Sequence, residues 1–388
     1  MIKVKPLNTK ASNKVQTIID SKTKPVGSLG QLEAIAKKLQ LISSQRANQN
    51  ITMASSIEDV IEGVIESDRI SLAKPTMLVF AGDHGINEEG LSIAPSEVTR
   101  QMVLNFLHGG AAINCFCRSN SIDLTVIDCG IITSVNASEV SPKDHEPKLV
   151  ELRLGSGTLN FSQQAAMSLV QVEQGFFYGK DHTEQLISQG VEIILLGEMG
   201  IANTSSASAL MASLTSFSVE ECVGRGTGIS DEQIVKKTSL ITQATQRVST
   251  VMPLDNSSQL SEQQIKILLS ELGGFEIVQM VSTILTSAAH SVPVVIDGFI
   301  VSVAALVAIR LQPNVSDFLI YSHISKEKAH CLLLSELTNK SDDNCQPLLS
   351  LDLRLGEGTG AALALPLIQA AASFYNDMAS FAEAGVTV

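Results

Sequence analysis

Short, almost wholly apolar runs recur along this chain, and each is closed by glycine or a small polar cluster. They fall at residues 76–80, 124–128, 192–196, 293–296 and 317–321. Their length suits buried strands, and the stretches between them carry apolar residues at helical spacing. A strand that is apolar throughout has both faces covered, and strands alternating with helices predict an α/β fold. That fold is a Rossmann-like parallel sheet with helices on both faces. The apolar tract at 281–309 is broken by His290, Pro293, Asp297 and Gly298. It reads as helix, strand and helix rather than as a membrane span. Residues 45–73 are polar with scattered acids and read as a surface excursion inserted between N-terminal helices and the first strand.

In sheets of this kind ligands lie beyond the carboxyl ends of the strands. Here the strand exits are the polar places: Gly82-Asp83-His84-Gly85, Cys129-Gly130, Gly197-Glu198, Asp297-Gly298-Phe299 and Ser322-His323. Three segments lead through glycines into a helix. One carries Glu198 ahead of Gly200, Asn203 and Thr204, one is Gly224-Arg225-Gly226-Thr227-Gly228, and one is Arg354-Leu355-Gly356-Glu357-Gly358. Amides at a helix start and the positive end of the helix dipole point the same way, so such turns suit a phosphate. A glutamate among glycines reads as a presented acid or base, because glycine lets the backbone come close to a ligand. The structural alternative is a glutamate that only complements a helix dipole.

Composition narrows the choice of ligand. With 388 residues and 44% hydrophobic content, the chain has the material for one large domain, or a large and a small one. A net charge of −13 disfavours nucleic acid and anionic membrane as partners. Six cysteines without a Cys-x-x-Cys pair fit reduced thiols in a cytoplasmic protein, and the first residues lack a signal-peptide core. Asp83, His84 and His323 are potential metal ligands but have no third ligand at helical spacing, so we expect no metal and no cofactor. A dinucleotide fingerprint after the first strand is missing, which disfavours an oxidoreductase. So is a pair of acids before a hydroxyl-rich loop, and a donor with a single phosphate fits better.

Motifs along nearly the whole chain carry a family resemblance. They are Lys24-Pro25-Val26-Gly27-Ser28-Leu29-Gly30, Phe80-Ala81-Gly82-Asp83-His84-Gly85, Gly109-Gly110-Ala111-Ala112, Gly197-Glu198-Met199-Gly200, Gly273-Gly274-Phe275-Glu276, Val295-Ile296-Asp297-Gly298 and Arg354 to Ala361. On these the chain resembles the nicotinate-nucleotide–dimethylbenzimidazole phosphoribosyltransferases. The resemblance implies transfer of phosphoribose from nicotinate mononucleotide to a benzimidazole-type base, without metal. It further implies a large Rossmann-like domain at 74–365 and a small helical domain from residues 1–73 and 366–388, in a homodimer.

By the same resemblance Glu357 is the general base, and Glu198 and Lys237 are further catalytic residues. Gly200, Asn203, Thr204 and the Gly226-Thr227-Gly228 turn fall on the phosphate side. Asp297, Ser322, Arg354 and Gly356 hold substrate or its loops. Ala94, where some members carry serine, and Met102 fall on the acceptor side. Two other readings compete: a non-catalytic azole- or nucleotide-binding homologue, and a metal-dependent hydrolase using Asp83, His84 and His323.

Overall fold

The computed structural model describes residues 2–54, 69–136, 139, 147–225, 228–252, 260–338 and 346–387. Helices α1 (Ser12–Asp20) and α2 (Gln31–Ala54) precede strand β1 (Thr76–Gly82). Then come α3 (Glu97–Leu107), α4 (Ala112–Ser119), β2 (Asp123–Gly130), β3 (Lys148–Glu151), α5 (Leu169–Ser188), β4 (Ile194–Met199), α6 (Asn203–Leu214) and α7 (Val219–Cys222). The chain continues through α8 (Asp231–Val251), α9 (Glu262–Leu272), α10 (Phe275–Ala289), β5 (Val294–Ile296), α11 (Phe299–Leu311), β6 (Leu319–Tyr321), α12 (Lys328–Thr338), α13 (Thr359–Asp377) and α14 (Phe381–Ala384).

The six strands lie in the order β3-β2-β1-β4-β5-β6, and every pairing is parallel. This is the doubly wound arrangement, whose order reverses between β1 and β4. Alternate side chains of a strand leave on opposite faces, and β1 shows it: Leu78 and Phe80 join one core, Met77, Val79 and Ala81 the other. The first core is closed chiefly by residues of α5, α6, α9, α10 and α11, the second by residues of α1, α2, α3, α4 and α13. The apolar tract at 281–309 is indeed helix, strand and helix.

The strand boundaries differ from the sequence pattern in instructive ways. β4 runs on through Glu198, so that carboxylate sits on the sheet itself. Residues 317 and 318, expected in a strand, belong to a 3-10 turn over Pro313–Phe318 that opens with proline. β3 is an additional strand that no apolar run announces: it lies at the sheet edge and is exposed at both ends. α2 continues through residues 45–54 of the expected excursion, and residues 55–68 lie outside the described part. The two chain ends meet where Lys22 donates from Nζ to the carbonyl of Met378, at 2.6 Å. Among the described residues no helix is long and apolar enough to cross a membrane.

Candidate active site

Where the strand order reverses, a cavity of about 390 Å³ opens beyond the carboxyl ends of the strands. Three loops meet there: the exit of β4, the exit of β5 with the start of α11, and the turn into α13. The cavity takes Glu198, Gly200, Asn203 and Thr204 from the first, Gly298 and Phe299 from the second, and Arg354, Gly356 and Glu357 from the third. Ala94 and Met102 line it with Ile93, Val98 and Ile201, which makes that side apolar.

The turn into α13 is built around one carboxylate. Gly356, Glu357 and Gly358 have φ of 84°, 63° and 86°, three left-handed residues in a row. For a glutamate that conformation costs roughly 1–3 kcal/mol, so the surroundings must impose it. They do: a Cβ on Gly197 would lie 2.5 Å from the carbonyl oxygen of Glu357, so the loop lies directly on β4. Asp297 accepts from the amides of Gly358 at 3.1 Å and Ala361 at 3.0 Å. Glu357 itself is buried, with Oε2 lacking any partner. Burial pushes its pKa up, the amide of Ile113 in the first turn of α4 opposes this, and Asp297 adds to it.

Glu198 faces the same cavity and is pushed up to about 8, first by burial and then by the charge of Asp297, against the hydrogen bond from Asn203. Asn203, the first residue of α6, donates from Nδ2 to Glu198 Oε2. Glu198 therefore keeps its proton to higher pH than an ordinary carboxyl, and in that form it can donate a hydrogen bond. Lys237 is buried behind the wall, with Nζ 2.8 Å from Thr204 Oγ1. Burial lowers it to about 8 while Glu327 opposes. Lys237 thus reaches the cavity through Thr204.

Asp297 and Ser322 are likewise buried behind the lining. Ser322 Oγ and Asp297 Oδ1 both address Nδ1 of His323, at 3.0 and 3.7 Å. A hydrolytic triad needs the serine and the acid on opposite nitrogens, so this trio is not one. Gly228 is exposed and away from the cavity lining, and Gly226 and Thr227 lie outside the described residues.

Sequence reasoning overlooked Glu327 and Ser325, both in the cavity wall. They follow β6 in the strand-exit position, which was the available signal. Asp83 and His84 turn away from the cavity: Asp83 Oδ2 accepts from the Ile132 amide at 2.8 Å, and His84 Nε2 lies 2.9 Å from Glu276 Oε1. No group of three or more His, Cys, Asp or Glu suited to a metal occurs among the described residues.

A switch-point cleft lined by an apolar group of side chains, two helix starts and a carboxylate with one unpartnered oxygen fits a group-transfer enzyme of the α/β class. Such a site suits a planar acceptor beside an anionic donor. The chain belongs to the phosphoribosyltransferase family, whose model DBI_PRT matches residues 4–386. It is 50% identical, over 96% of its length and 97% of the relative's, to the nicotinate-nucleotide–dimethylbenzimidazole phosphoribosyltransferase of Vibrio vulnificus. It is 51% identical to the enzyme so named from Vibrio parahaemolyticus, over 96% of this chain and 98% of the other. The solved structure of CobT from Thermus thermophilus is similar with a TM-score of 0.81 and 34% identity, covering 97% of this chain and 99% of that one.

Proposed function

We propose that this chain transfers phosphoribose from nicotinate mononucleotide to 5,6-dimethylbenzimidazole, giving alpha-ribazole 5'-phosphate and nicotinate. The relatives bear the name of that reaction, and the cleft supplies its parts. A lone pair on one acceptor nitrogen forms the new bond to the anomeric carbon from the face opposite the leaving group. The bond to nicotinate breaks with its electron pair going to the ring nitrogen, which changes from cationic to neutral. The acceptor must then lose the proton on its second nitrogen.

The observation that carries the assignment of roles is Glu357. Its Oε2 is buried and unpartnered in a wall of the cavity, on a backbone held in an unfavourable conformation. A carboxylate with one free oxygen and a raised pKa can take the acceptor proton as the bond forms. Protonated Glu198 donates to a ribose hydroxyl, and Lys237 acts on the donor phosphate through Thr204. The helix starts at Asn203 and Phe299 offer amides and positive dipole ends to the phosphate. Ala94, Met102 and their apolar neighbours receive the benzimidazole. Each step is complete without a metal ion.

The test is incubation of the purified protein with nicotinate mononucleotide and dimethylbenzimidazole. The expected products are nicotinate and alpha-ribazole 5'-phosphate by mass, and their absence would overturn the reading. A homodimer, expected from the family resemblance, is checked by light scattering on the same preparation.

A further inference from the structure

Beneath the cavity floor lies a pair of ionisable side chains that the transfer scheme leaves unused. His84 follows β1, Glu276 is in the first turn of α10, and both side chains are 0% exposed. His84 Nε2 and Glu276 Oε1 are 2.9 Å apart, while His84 Nδ1 and Glu276 Oε2 have no partner. Burial works against a proton on this imidazole, but the charges of Glu276 and Asp83 outweigh it and raise its pKa. A buried charged pair is costly to desolvate, so its presence in a well-packed floor calls for a reason.

The glycines around the pair give one. A Cβ on Gly82 would lie 2.8 Å from Glu276 Oε2, and a Cβ on Gly274 would lie 2.5 Å from both Glu276 Oε1 and His84 Cε1. The carboxylate therefore seats directly on the last residue of β1. The Gly82 carbonyl in turn packs against Gly200, where a Cβ would run into it. Gly200 begins the turn that delivers Asn203 to Glu198. Upstream, Phe80 pairs with Glu198 and Ala81 with Met199 in the sheet. One continuous line of contact runs from the His84–Glu276 pair to the Glu198 carboxyl.

We propose that the buried His84–Glu276 pair is a positioning device for Glu198: by seating on Gly82 it fixes the Gly200 turn, and the Glu276 carboxylate acts on the Glu198 carboxyl across that contact. Four groups bear on Glu198: Asn203 from α6, Asp297 from the exit of β5, Glu357 from the turn before α13, and Glu276 from α10. Glu276 is faced by His84 and Asp83 from the exit of β1 and by Cys129 from β2. Of these influences on Glu198, Glu276 is the one that neither lines the cavity nor holds the turn carrying Glu357. Its negative charge disfavours ionisation of Glu198, so its neutralisation makes Glu198 the stronger acid.

This inference rests on the proposed transfer activity for one readout and is independent of it for another. The experiment compares wild type, Glu198→Gln, Glu276→Gln and the double variant His84→Gln/Glu276→Gln. In kcat/KM for nicotinate mononucleotide against pH, the limb that Glu198→Gln abolishes belongs to Glu198. That limb is expected at lower pH in Glu276→Gln and in the double variant. The second readout is the pH window over which Glu198→Gln gains thermal stability relative to its parent, and it is expected to move down in the Glu276→Gln background. An unmoved limb and window in folded variants would overturn the proposal. Failure of both variants to fold would overturn it as well, in favour of a purely structural pair. A wild type that turns over no substrate would defeat the functional reading, while the stability window still decides the role of the pair.

Discussion

Asp297 grips the turn that presents Glu357. Its two carboxylate oxygens take the amides of Gly358 and Ala361, at 3.1 and 3.0 Å, so the exit of β5 dictates the backbone just after the glutamate. His323 stands 3.7 Å from the same carboxylate, and a Cβ on Gly360 would collide with its ring. The backbone of Glu357 is therefore held by Asp297, which does not itself line the cavity, and the turn is packed against His323, which does.

Glu357→Gln keeps the shape of the side chain and removes its basicity. If Glu357 takes the acceptor proton, kcat falls by about 10²–10⁴, the usual span for loss of a general base. The melting temperature should hold or rise slightly, since the substitution relieves a buried carboxylate with an unpartnered oxygen. Near-wild-type turnover would remove Glu357 from the mechanism.

Asp297→Ala leaves two buried amides without their acceptor, at roughly 1–3 kcal/mol each. Both stability and kcat should drop, with Asp297→Asn intermediate because one carbonyl acceptor remains. Paired measurement of melting temperature and turnover checks this. A loss of stability with unchanged turnover would show that the Asp297 grip is unimportant for the base.

Glu198 makes stability depend on pH. Its folded pKa of about 8 lies above the ordinary carboxylate value of 4.5. Between those values the native state holds a proton that the unfolded chain has lost, so stability falls as pH rises through the window. Glu198→Gln removes that dependence. Its melting temperature should gain on wild type steadily from pH 4.5 to 8 and level off above, as denaturation scans across buffers would show.

The donor phosphate should carry much of the binding. The starts of α6 and α11 both open on the cavity, and each charge-assisted hydrogen bond lost is worth roughly 1.5–3 kcal/mol. Nicotinate riboside is then expected to have a kcat/KM lower than the nucleotide by about 10²-fold or more. Equal specificity constants would argue against the phosphate as an anchor.

Chelation should leave turnover intact. Asp83 and His84 are committed to Ile132 and Glu276, not to a shared site with His323. Activity lost in EDTA and restored by one divalent ion would reopen the metal-dependent reading.

The polar residues that meet at the cavity were largely legible in the sequence because they sit at strand exits or in glycine-rich helix starts, whereas Ala94 and Met102 on the apolar side, the latter inside α3, were placed only by the family resemblance. Glu198, Asn203, Thr204, Arg354 and Glu357 all stand in such places. Lys237 is in the interior of α8, where sequence gives no direction for a side chain, and only packing set it behind Thr204 instead of in the cavity. The edge strand β3 and the true end of β4 were decided by neighbouring strands, since pairing registers depend on residues far away in the chain.

By itself the sequence determined the alternation of strand and helix, the covered faces of the sheet, and the punctuation that makes strand exits polar. Those follow from periodicity and from the conformational freedom of glycine, which are local properties. The tertiary structure alone decided that Gly197 would press on the Glu357 backbone, that Asp297 would hold the turn beyond it, and that the Glu276 carboxylate would seat on Gly82 at the end of β1. These are contacts between segments separated by dozens of residues or more, and their energetics depend on burial and on distances between charges that exist only once the chain has closed on itself.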